Sequence, residues 1–171
     1  MADGHYRIDL HSHAGRCFLA GLPAGHSAVG IVIDCAHASF ATTMAVLAAS
    51  SRPVIISHGQ LSHPGIAHPR LMTAQHAAAV AEAGGLIGAW PCGITSGSLA
   101  DFGTEIIRLA AAAGPDHVAI GTDLDGNYRP VLTRYDQLDD LTGLLAARGL
   151  PSARVHQILG GNALNFLGRV L

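Results

Sequence analysis

The stretch Ile31–Gly59, IVIDCAHASFATTMAVLAASSRPVIISHG, constrains the fold more than any other. It reads strand, helix, strand. Ile31–His37 is a short apolar run rich in β-branched residues, and it ends in a histidine. Ser39–Ser50 carries Phe40, Met44 and Leu47 at helical spacing, with Ser39 where an N-cap belongs. Pro53–His58 is a second β-branched run, and it too ends in a histidine. Parallel strands joined by one crossover helix have their C-terminal ends at the same sheet edge. His37 and His58 therefore belong side by side on one rim. One histidine at a strand end merely closes the strand. Two on successive strands point to a metal or catalytic pair, since imidazole is the commonest metal ligand.

The same reasoning extends along the chain. Tyr6–His13 reads as a first strand, with Asp9, His11 and His13 on one side. An HxH pair at a strand end aims two imidazoles at one point, which is a chelating geometry. Ala14–Gly30 carries four glycines and no sustained period, and reads as a connection. Gly59–Arg70 is a rim loop holding His63, His68 and Arg70, and an arginine there can grip a carboxylate through its planar fork. Met72–Ala83 reads as a helix stopped at Gly84–Gly85. Leu86–Trp90 reads as a strand. Leu99–Ala113 is an amphipathic helix with Phe102, Ile106, Leu109 and Ala113 on one face. His117–Asp125 is a further strand, breaking into GTDLDG with Asp123 at the rim. Asp123, Asp125 and Gly126 also evoke calcium, but the other ligands of such a loop are missing. Tyr135–Arg148 and Ser152–Leu171 read as helices, the second interrupted at Gly160–Gly161–Asn162. The fold class is α/β, with about five parallel strands and covering helices in a single domain over residues 1–171.

Composition narrows the chemistry. The chain has 171 residues, 49% of them hydrophobic and 13% charged, as suits a buried parallel sheet. A net charge of −2 gives no electrostatic case for nucleic acid or an anionic membrane. No apolar run approaches the roughly 20 residues of a membrane span, and no export pattern opens the chain, so a cytoplasmic location is the expectation. Three cysteines without a CxxC argue against a disulfide framework or zinc ribbon. All ten basic residues are arginine, which excludes Schiff-base, P-loop and carbamylated lysines. The glutamates are Glu82 and Glu105, both in predicted helices away from strand ends.

The segments IDCAHAS, RPVIISHG, HPRLMTAQHAAAVAEAGGLIGAW, GPDHVAIGTDLDG and ILGGNALNFL together resemble the membrane dipeptidase family of zinc peptidases, in the amidohydrolase superfamily. The resemblance covers residues 31–171 in family order. It implies a (β/α)8 TIM-type barrel, two zinc ions and hydrolysis of dipeptides. It assigns His37 and His58 to one zinc. It places the family's strand-one His-x-Asp motif at His11–Ser12–His13, where His13 departs from the family aspartate. Arg70 matches the residue that holds the substrate carboxylate, and Asp123 matches the catalytic aspartate.

One departure is large. Between Pro23 and Gly30 the family carries roughly three further strands, including the glutamate that bridges both metals. A full barrel takes about 250 residues and at least about 200. The expectation is a family member with a large internal deletion and an incomplete barrel. It would hold one zinc ion rather than two, act weakly or not at all on small dipeptides, and self-associate to cover open sheet edges. Two other functions remain open: a non-catalytic metal-binding remnant, and an amidohydrolase acting on a lactone or cyclic amide.

Overall fold

The computed structural model describes residues 32–170. The segment holding His11 and His13 lies outside the described residues. Helix α1 spans Phe40–Ala49 and opens on Ser39, whose Oγ accepts from Thr42 N. Strand β1, Ile55–Leu61, is followed by a two-residue strand β2, Leu71–Met72, and helix α2, Ala74–Glu82. Thr73 caps α2 by accepting from His76 N. Strand β3, Leu86–Ala89, leads to helix α3, Leu99–Ala113, capped by Ser98. Strand β4, Val118–Ile120, leads to helices α4, Gln137–Ala147, α5, Ser152–His156, and α6, Asn162–Val170.

The sheet is parallel throughout, in the order β2-β1-β3-β4. The predicted strand Ile31–His37 contributes only an isolated bridge, Asp34 to Ile55. Cys35 N donates to Ile55 O and Ile55 N to Ile33 O, and the chain then turns away. The turn at Ala36–His37 ends the pairing early, because His37 adopts φ 61° and cannot continue an extended strand. The described sheet thus has four strands plus this bridge; of the five strands expected, Tyr6–His13 lies outside the described residues. Strand β2 was not anticipated; two residues are too few for a periodic signal.

Two apolar layers hold the sheet. On one face, Ile56, Ile87 and Ile120 pack against Phe102, Ile106 and Leu109 of α3 and against α2 and α4. Each such buried side chain contributes about 1.5–3 kcal/mol. The predicted α3 face is fully buried. On the other face, Leu86 and Ala119 meet Ala163, Phe166 and Val170 of α6. The predicted interruption at Gly160–Gly161–Asn162 falls on a departure from α geometry that does not break the helical course of the chain. A π turn, Gln157–Gly161, joins α5 to α6 without a break. Asn162 stabilises it by donating Nδ2 to Pro115 O and Val118 O. In α1 the helical spacing is real but its apolar face is not buried: Phe40 is 36% and Met44 42% exposed.

Candidate active site

The site is built by an irregularity in β1. Ile55 pairs with Leu86 and Ile56 with Ile87, but the next partner of Ala89 is Gly59. Two residues of β3 thus oppose three of β1, which is a β-bulge. Without the extra residue, His58 would share the core-facing side of Ile56. The bulge pushes the Ser57 carbonyl across the sheet. A Cβ on Gly88 would lie 2.0 Å from Ser57 O, and one on Gly121 1.8 Å. Glycine is a steric requirement at Gly88 in β3 and at Gly121 just past β4.

Asp34 secures both histidines through their backbones. Its Oδ1 accepts from Ser57 N at 2.9 Å, beside His58, and from Ala36 N at 2.9 Å, beside His37. Asp34 thus shapes both the bulge and the turn.

His37 Nε2 and His58 Nε2 end 2.9 Å apart, with the rings edge to face at 4.6 Å between centroids. Asp123 Oδ2 stands 3.7 Å from His58 Nε2. His58 and Asp123 are each 5% exposed. Asp123, like His37, adopts a left-handed conformation, φ 49°, a local strain of about 1–3 kcal/mol of the kind that clusters at functional sites. Ser57 Oγ shares a hydrogen bond with His58 Nδ1 at 3.0 Å, which fixes the ring so that Nε2 faces His37. Trp90, fully buried, packs its indole against both imidazoles at 5.6 and 5.3 Å.

The pair fits a zinc ion chemically. Two imidazole nitrogens bound tetrahedrally at about 2.0–2.1 Å lie about 3.3 Å apart, close to the 2.9 Å between these two. The described residues do not complete the site: among them, no three His, Cys, Asp or Glu side chains form a group that could hold a metal. The predicted ligands His11 and His13 lie outside the described residues. The calcium alternative loses its geometry, since Asp123 is buried while Asp125 is exposed.

Arg70 lines the same cleft as His37 and His58. It is exposed, at the end of the rim loop and beside β2. The other end of that loop is clamped by a cluster that strand-end reasoning missed. His63 Nε2 lies 2.7 Å from Glu105 Oε1, Arg108 Nη1 donates to both Glu105 oxygens, and Arg108 Nη2 donates to Ser62 O. Glu105 is helical, as expected, but its buried carboxylate reaches the loop just past β1. Spacing along α3 could have shown Glu105 beside Arg108; only the fold brings His63 to them.

The model of the membrane dipeptidase family, peptidase family M19, matches residues 26–170. The chain belongs to this family. It is 31% identical over 153 residues to the dipeptidase ataJ of Aspergillus terreus, covering 82% of this chain and 36% of that protein. It is 29% identical over 168 residues to the dipeptidase aclJ of Aspergillus oryzae, covering 93% of this chain and 39% of that one. Among solved structures, it superposes on a metallo peptidase from Rhodobacter sphaeroides, liganded with a phosphinate mimic of L-Ala-D-Ala, with TM-score 0.76. The identity is 21%, with 85% of this chain and 44% of that one covered. A dipeptidase of family M19 gives TM-score 0.76 at 20% identity, over 84% of this chain and 44% of that one. The chain therefore spans well under half the length of these relatives. The parallel sheet with its helices is part of a TIM-type barrel, and the described barrel is incomplete.

Proposed function

We propose that this chain is a zinc-dependent, dipeptidase-like hydrolase that cleaves the amide bond of small dipeptides, with weak turnover. The observation that carries this reading is the convergence of His37 and His58 beside buried Asp123, in a cleft that Arg70 also lines. His37 and His58 would hold the metal, together with His11 and His13. A bound zinc supplies a hydroxide near neutral pH and polarises the scissile carbonyl. Arg70 orients the substrate through its carboxylate, by a bidentate ion pair. Asp123 takes the proton of the attacking water and passes it to the leaving amine. Trp90 excludes water from one flank of the imidazole pair.

One ion per chain is the proposed load. Neither glutamate is placed to bridge two metals: Glu82 is exposed at the end of α2, and Glu105 is committed to His63 and Arg108. This same shortage of ligands supports a second reading, a metal-binding remnant without turnover.

The test is metal analysis of protein purified without chelators, paired with a panel of L- and D-containing dipeptides. Amino-acid release that is lost in His58→Ala supports the hydrolase. One tightly bound zinc with no turnover supports the remnant. Two tightly bound zincs overturn the one-ion load.

A further inference from the structure

The cleft beside the imidazole pair runs between α1 and α2. Its buried lining residues are Cys35, Ile56, His58, Gly59, Met72 and His76. Phe40 stands at its mouth, 36% exposed, its ring 5.5 Å from that of His76. Arg70 and His37 line the same mouth. The floor carries no charge. His76 Nε2 is engaged by Thr43 Oγ1 at 2.8 Å, and burial lowers its pKa below the usual histidine value, which keeps it neutral.

We propose that this cleft receives the side chain of the substrate's C-terminal residue and selects an uncharged, apolar one of leucine or methionine size. The inference rests on the dipeptidase reading for the placement of the carboxylate at Arg70. With that carboxylate on the guanidinium and the scissile amide at His37 and His58, the intervening Cα holds its side chain over the space between Phe40, Ile56 and Met72. An apolar side chain there gains the transfer free energy of burial against these three. A carboxylate or ammonium would lose its hydration there, and Phe40, Ile56 and Met72 offer it no counter-charge. Met72 adapts to ligands of differing shape, because its unbranched side chain changes rotamer easily. Nothing in the alternation of the sequence marks this subsite, since its residues come from α1, β1, β2 and α2.

The test reads binding apart from turnover. Trp90 is the sole tryptophan and touches both imidazoles, so its fluorescence reports occupancy of the site. Titration of the full chain with L-leucine, glycine and L-aspartate should rank leucine first, at least about tenfold tighter than glycine. Phe40→Ala should narrow the leucine-to-glycine ratio several-fold, and Phe40→Leu, which keeps an apolar side chain at the mouth, should narrow it less. Phe40 is half-exposed, so both variants are expected to fold. Equal affinities for leucine and glycine, no binding of either, or a ratio unmoved by both variants would overturn the subsite. If leucine is preferred as described but zinc-loaded protein releases nothing from any dipeptide, the subsite stands and the hydrolase reading fails.

Discussion

A single carboxylate oxygen, Asp34 Oδ1, accepts from the backbone beside each of the two imidazoles. Removing it leaves two amide donors without that acceptor, a cost of about 1–3 kcal/mol in total stability. Asp34→Ala is therefore expected to lower the urea midpoint and to weaken zinc binding, although Asp34 is not assigned as a ligand. Asp34→Asn keeps an acceptor oxygen in place and should restore most of the zinc affinity by isothermal titration. The bulge makes a sterically stricter demand. In Gly121→Ala the new methyl would overlap the Ser57 carbonyl, so the strand must shift or the bulge must flatten. Overpacking of this kind costs about 1–3 kcal/mol. The expected result is a lower thermal midpoint together with loss of zinc binding, since His58 is then turned from the rim.

Helices α1 and α2 are joined through His76 and Thr43, and this contact has a pH dependence of known sign. Burial depresses the pKa of His76 in the folded protein below its ordinary value of 6.5. As pH falls through that ordinary value, the unfolded chain takes up the proton first. The stabilising effect of the neutral ring is complete above about pH 6.5 and is lost progressively as pH falls toward the depressed folded value. Urea unfolding at about pH 7.5 and about pH 5.5 should show a drop in midpoint for the native chain. That drop should be smaller in His76→Gln, while the other histidines contribute equally to both proteins. At the same scale, the rim loop is fixed at its start by Glu105 and Arg108 and at its end by β2 pairing with β1. This is how an exposed segment comes to carry Arg70 at a defined place.

At the scale of the whole molecule, metal binding and folding are linked. Under the proposed zinc reading, an ion held by His37 in the turn before α1 and by His58 in β1 would bind the folded chain and not the unfolded one. At free zinc about a hundredfold above its Kd, the stabilisation is about 2.7 kcal/mol. For a chain of this length that corresponds to a rise in thermal midpoint of roughly 5–10 °C. Scanning calorimetry with and without a chelator checks this, and the shift should disappear in His58→Ala. Among the described residues β4 pairs with β3 alone, so its second edge is the place where further strand pairing would extend the sheet.

The sequence by itself determined the alternation of strands and helices from β1 onward apart from the short β2, the parallel sheet, the α3 core face and the juxtaposition of His37 with His58, with Asp123 at the same rim. These follow from local periodicity and from the rule that parallel strands share a C-terminal edge, which needs no knowledge of packing. The dipeptidase family was legible in the same rim motifs. Tertiary structure decided the rest. It ended the Ile31–His37 strand at one bridge, because a left-handed residue stops pairing. It placed an extra residue in β1, because register depends on what lies across the sheet. It carried α5 into α6 through two glycines, because Asn162 ties that turn to the backbone around β4. It brought Glu105 to His63 and His76 to Thr43 across 42 and 33 residues of chain, respectively. Contacts at that separation leave no period in a sequence, since they are formed by the packing of elements and not by the spacing of residues along any one of them.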